Sequence, residues 1–218
     1  MAEDFVITKR NPGFLGVPYG AGFRMVDERT RVLAFTASGR AQGYKGPGQR
    51  WSARVPLIDR SDDQRLRRML LSSQEVNQLS GHVMVPVMQD ANICFNMPLN
   101  PSLIVTAKAD SGQSRITIRS TVTTTPVKLY TRWFLKFNQT NHHKIYNIST
   151  PDEHTTSGTT RTYALGIYPE LVMDVPINTT IEMWPEMRCV YKGIQATTDL
   201  QQENRVVQVT VVEFEEAY

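Results

Sequence analysis

The chain is poor in cysteine, with only Cys94 and Cys189 in 218 residues. Two are too few for a disulfide framework, and the pair is expected as buried thiols in a reducing compartment. Long apolar runs are missing as well: no stretch approaches the roughly 20 residues that a membrane helix needs. The opening residues, Met1-Ala2-Glu3-Asp4-Phe5, carry acids where a secretory signal carries bases. A non-secreted chain without membrane contact is therefore expected, and the sequons at Asn138, Asn147 and Asn178 are read as chance in a Thr- and Asn-rich sequence.

Catalytic signatures are absent too. There is no Gly-x-Ser-x-Gly elbow, no phosphate-cradling Gly-x-x-x-x-Gly-Lys-Ser/Thr loop and no Gly-x-Gly-x-x-Gly, and neither cysteine has a histidine beside it in sequence. The acid pairs Asp62-Asp63 and Glu215-Glu216 are read as a helix start and a solvated C-terminus. Only His142, His143 and His154, with Asp152 and Glu153, group residue types that bind metals. Neighbouring histidines in a loop point in different directions, whereas a metal needs ligands fixed at about 2 Å by a rigid scaffold. They are read as exposed loop histidines at a partner contact. No enzyme, cofactor or metal is expected.

What is present is β texture. In 127–137, Val127, Leu129, Trp133, Leu135 and Phe137 alternate with Lys128, Tyr130, Arg132, Phe134 and Lys136, the period-two pattern of a strand with one face in a core. Strands are also predicted over 83–88, 92–95, 103–107, 115–123, 162–167, 171–175, 180–184, 188–194 and 205–214. These runs are rich in Thr and Val and are broken by Pro, Gly, Asn or Asp. The polar stretch 138–160 reads as one long loop. Ser61-Asp62-Asp63-Gln64 has the form of a capping box, and apolar Leu66, Met69, Leu70, Val76 and Leu79 follow at near-helical spacing up to Gly81. That predicts a helix over 62–80. Strands without alternating helices indicate an all-β fold, an antiparallel sandwich or jelly roll with one inserted helix.

Residues 1–50 hold 8 of the 13 glycines and 6 arginines, a composition suited to loops and extended segments. A single domain over 1–218 is expected, with an extended Gly/Arg-rich arm over 1–55 and a β core over 56–218. Charge is polarised: residues 1–68 have 13 Lys and Arg against 7 acids, the remainder 11 against 14. Such a basic third suits an anionic partner. Candidate nucleic-acid contacts are Arg24, Arg29, Arg31, Arg65, Arg67 and Arg68, and a candidate interface is the Tyr130, Arg132, Phe134 and Lys136 face.

The strand-dense, Thr- and Asn-rich stretch 83–218 resembles the jelly-roll coat (capsid) proteins of small nonenveloped viruses. The resemblance implies a self-assembling structural subunit whose partners are its own copies and viral nucleic acid, found in the virion and, before assembly, in host cytoplasm. The chain departs from many such coats at its start, where 1–12 offer only Lys9 and Arg10 against Glu3 and Asp4 instead of a compact basic tail. Two other classes fit the same composition. One is a β-sandwich binding module for carbohydrate or protein, with Trp51, Tyr168 or Trp184 as platform and the 138–160 loop as lid. The other is a nonstructural viral nucleic-acid binder.

Overall fold

The computed structural model describes residues 13–14, 17–18, 23–28, 31–35, 41–45, 48–60, 82–88, 102–121, 129–157, 160–202 and 205–217. The chain is all-β with antiparallel sheets, and no helix occurs among the described residues. The helix expected over 62–80 and the strand expected over 92–95 lie outside them. Two compact units form: Met1–Pro18 with Met84–Arg188 and Tyr218, and Tyr19–Val83 with Cys189–Ala217.

The first unit holds a short hairpin, β1 (Gly13–Phe14) and β2 (Val17–Pro18), and a six-stranded sheet. Its strands are β8 (Leu103–Val105), β9 (Arg115–Thr121), β10 (Phe134–Phe137), β11 (Ile145–Ser157), β12 (Thr160–Tyr168) and β13 (Ile181–Glu182), in the order β13-β10-β11-β12-β9-β8. The run β10-β11-β12 with β9 returning beside β12 is a Greek key. The two ends of this sheet meet. Ile104 bridges Thr180, Val105 N–H donates to Thr179 O at 2.9 Å, and Asn178 N–H donates to Val105 O at 2.8 Å. The sheet thus nearly closes into a barrel. Alternate residues point inward, as a pleated strand requires: Leu103 and Val105, Ile116 and Ile118, Leu135 and Phe137, Tyr146 and Ile148, and Leu165 and Ile167 form one buried cluster with Trp133 and Trp184.

Three predicted segments take a different form here. The long loop expected over 138–160 is mostly the β11–β12 hairpin, whose register runs from Asn147↔Tyr168 out to Ser157↔Thr160 with two irregularities. Alternation reports burial. A Thr-rich strand held by its backbone ladder need not alternate, and so polarity alone mimics a loop. The strand expected over 127–137 is shorter, because Thr131 and Arg132 form a turn with Arg132 at φ 70° before β10 begins. Leu129 and Trp133 are nonetheless both in the core. The segment expected as a strand over 171–175 pairs only at its ends: Leu171 with Gln113 and Gly112, and Val175 with Ala109.

The second sheet has the order β3-β6-β15-β14-β7, built from β3 (Arg24–Glu28), β6 (Arg50–Arg60), β7 (Val83–Pro86), β14 (Glu186–Gln202) and β15 (Arg205–Glu216). The boundary between the units falls within β7 and within β14. A separate hairpin pairs β4 (Arg31–Phe35) with β5 (Ala41–Lys45). Much of the stretch read as an extended arm is therefore sheet, and Trp51, Ala53 and Val55 are buried. Glycine density had pointed to loops, but the glycines of 1–50 mostly separate these short strands. β14 is longer than the predicted 188–194. It accommodates its length with bulges at Tyr191/Gly193 and Ile194/Ala196, and Gly193 takes a φ of 144° that a bulge favours for glycine.

Candidate functional site

The register of the second sheet sorts its residues onto two faces. Ala53, Val55 and Leu57 on β6 and Val212 and Phe214 on β15 are all fully buried, and Tyr191 packs its ring on Phe214 at 5.8 Å. The opposite face is ionic. It carries Arg24, Val26 and Glu28 from β3, Arg50, Ser52 and Arg54 from β6, and Glu213 and Glu215 from β15. Glu215 lies between two cations: Arg50 Nη1 at 3.0 Å and Lys192 Nζ at 2.6 Å. These donors hold its carboxyl below the usual carboxylate range, and Glu215 in turn raises the Lys192 ammonium. Glu213 accepts from the buried Ser52 hydroxyl at 3.1 Å, with Arg54 Nε at 3.9 Å. With the cations about half exposed, such pairs contribute roughly 0–1 kcal/mol each. Their larger effect is to fix which residues of β6, β14 and β15 lie abreast.

Glu216, expected in a solvated tail, is buried and accepts a hydrogen bond from Trp51 N–H at 3.1 Å. It stands in register with Cys189. Burial first, and then the Glu216 charge, push the Cys189 thiol far up. A thiol so held is a small core hydrophobe, since the thiolate is the nucleophilic form.

In the first unit, His142 is buried rather than displayed on a loop. Val172 N–H donates to the Tyr146 hydroxyl oxygen at 3.2 Å, which leaves the hydroxyl proton for His142 Nε2 at 2.7 Å. Nε2 is then the acceptor, and Nδ1–H faces Gln139 Oε1 at 3.4 Å. Desolvation, followed by the charges of His143 and Lys136, lowers the His142 pKa to about 4. The ring is neutral and serves as a bracket. Gln139 Nε2 also donates to Asp174 O at 3.2 Å, so this cluster fastens the segment around Val172 at two points.

The possible metal ligands are divided between two parts of the chain. His142 and His143 precede β11, whereas Asp152, Glu153 and His154 lie along it. Among the described residues, no three of His, Cys, Asp and Glu gather as a metal site.

Of the six predicted nucleic-acid contacts, Arg24 and Arg31 fall among the described residues. Arg24 is exposed on β3, abreast of Arg54. Arg31 begins β4, and Arg29, Arg65, Arg67 and Arg68 lie outside the described residues. On the other predicted surface, Arg132 is exposed and Lys136 half-buried, but Phe134 is 8% exposed and Tyr130 packs against the core, 5.0 Å from the Trp133 ring. Of that set, Arg132 alone is fully open to solvent. Trp51 and Trp184 are buried, so neither offers a ring face as a platform. Sequence reasoning passed over the Arg50, Lys192 and Glu215 lattice. The two-residue spacing of Glu213 and Glu215, and the four-residue spacing of Arg50 and Arg54, mark faces of strands, but nothing local pairs those strands. Exposed Arg115 and Arg119 were likewise legible from alternation in Arg115-Ile116-Thr117-Ile118-Arg119.

No protein-family model matches the chain, and no curated protein matches it.

Proposed function

We propose that this chain is a self-assembling structural protein, a coat subunit of a virus particle. The observation that supports this reading is the open edge of the five-stranded sheet: β3 is its outermost strand, and no described strand pairs with its far side. An uncovered edge presents backbone donors and acceptors to another chain, and proteins that remain single usually cover or distort such edges. In this reading the domain is a jelly roll in which the Greek key of the six-stranded sheet is one element, residues 62–80 form a helix, and connecting segments of the first 55 residues cross a neighbouring subunit. The chain's partners are its own copies. What genome contact there is comes from the basic first third, through Arg29, Arg31, Arg65, Arg67 and Arg68.

Size-exclusion chromatography with light scattering, read beside negative-stain micrographs, tests the proposal. A closed particle or symmetric oligomer is the expected result. A monomer of 24.8 kDa at every salt concentration and pH would overturn it.

A further inference from the structure

We infer that β3 is the seam of a two-fold dimer of this chain, formed by antiparallel pairing with β3 of a second copy about Val26. The inference rests on the self-assembly reading and specifies where it begins. The strand reads Arg24-Met25-Val26-Asp27-Glu28. A two-fold axis normal to the sheet keeps the ionic faces of both copies on one side, and in an antiparallel ladder it must fall midway between the two copies of one residue. Centred on Val26, it sets Arg24 opposite Glu28 of the partner subunit, Glu28 opposite the partner's Arg24, and the two valines against each other. All five residues are then paired, in either hydrogen-bonding phase of the ladder. Centred on Met25 it pairs fewer, and centred on Asp27 it faces two carboxylates, which directly opposed strands disfavour.

The charges at the ends of the strand are available for this. Arg24 and Glu28 are both exposed, and among the described residues neither makes an ion pair within 4 Å, although Glu28 lies abreast of Arg50 and its charge helps raise Lys192. Within its own sheet, Arg24 lies abreast of another cation, Arg54, which is occupied with Glu213. An acidic group arriving from outside the edge therefore relieves a like-charge row. Val26 lies between them on the same face and is half-buried. The strand is self-complementary, which is the property a two-fold interface requires. Arg24 is by this argument a subunit contact, not a nucleic-acid contact.

Charge exchange in the full-length chain tests the seam. Arg24→Glu leaves acids at both positions, and Glu28→Arg leaves arginines at both, so each variant repels its own copies. Mixed, they are complementary again. Sedimentation equilibrium is expected to show the dimer dissociation constant raised at least tenfold for each variant alone and restored toward the wild-type value in the equimolar mixture and in the double variant R24E/E28R. If the wild-type chain associates and either variant alone associates as tightly, or if the mixture stays dissociated, the β3 seam is wrong while assembly stands. If the wild-type chain never associates, both readings fall together.

Discussion

The two sheets of this protein treat their edges in opposite ways. The six-stranded sheet returns on itself through the Ile104–Thr180 bridge and spends its pairing capacity internally. The five-stranded sheet ends on β3 and β7. Near-closure suits a region that holds a large apolar interior, since its two end strands also find partners in one another. An open sheet of similar length is less complete by itself and keeps the ability to extend. The difference gives one region a large apolar interior, and under the proposed β3 seam it gives the other the means of association.

The largest effect is expected inside the closed sheet. Phe137 is fully buried, with the His142 and Tyr146 rings each 5.4 Å from its own. Phe137→Ala should cost about 3–5 kcal/mol in denaturant unfolding. A loss below about 1 kcal/mol would show that the closed sheet is not where stability resides. Dimerisation through β3 should survive the same substitution wherever the chain remains folded.

An intermediate effect comes from acid. His142 has a folded pKa of about 4 against an ordinary value of 6.5. Between those values the unfolded chain binds a proton that the folded chain refuses. Its contribution is therefore fully present above pH 6.5, falls as pH drops toward 4, and is level below that. The loss should be about 3 kcal/mol, and unfolding curves across this window measure it. His142→Asn should flatten the slope. An unchanged slope in that variant would assign the acid sensitivity to other groups.

The smallest effect lies in the open sheet. Glu215→Gln removes the charge shared by Arg50 and Lys192, and the expected cost is about 1 kcal/mol or less, shrinking as salt is raised. A loss as large as that of Phe137→Ala would erase the contrast between the sheets, because it would make the ionic face a principal source of stability.

Much of this contrast was legible in the residues, and the illegible part has physical causes. Alternation over Leu129, Trp133, Leu135 and Phe137 identified core residues even though a turn at Thr131 and Arg132 interrupts the strand, because four positions across that turn return the chain to the same interior. The β11–β12 hairpin was hidden by its polarity, and the burial of His142 by a Tyr146 partner that only the folded backbone brings within reach. Sheet membership of β3 and β6 was hidden by glycines between the strands. The ionic lattice joins Arg50 to Glu215 across the length of the chain, and no local pattern encodes a register of that kind. In each miss the deciding information was a partner strand, not a propensity.

The bridge that seals the six-stranded sheet also sets an order of events. Ile104 and Thr180 are about 75 positions apart, so their meeting closes a long loop late and at an entropic cost. The β10-β11-β12 hairpins are local and can form first, whereas β9 joins β12 only across the intervening strands. Until Thr180 reaches Ile104, the nascent sheet has two bare margins at β8 and β13, and the chain is briefly adhesive where the finished protein is not. Refolding should accordingly be slow for a domain of this size, as for other folds dominated by distant pairings, and its yield should fall as protein concentration rises. Under the proposed seam, timing then separates productive association from aggregation: the margins at β8 and β13 must be withdrawn before the β3 edge is used.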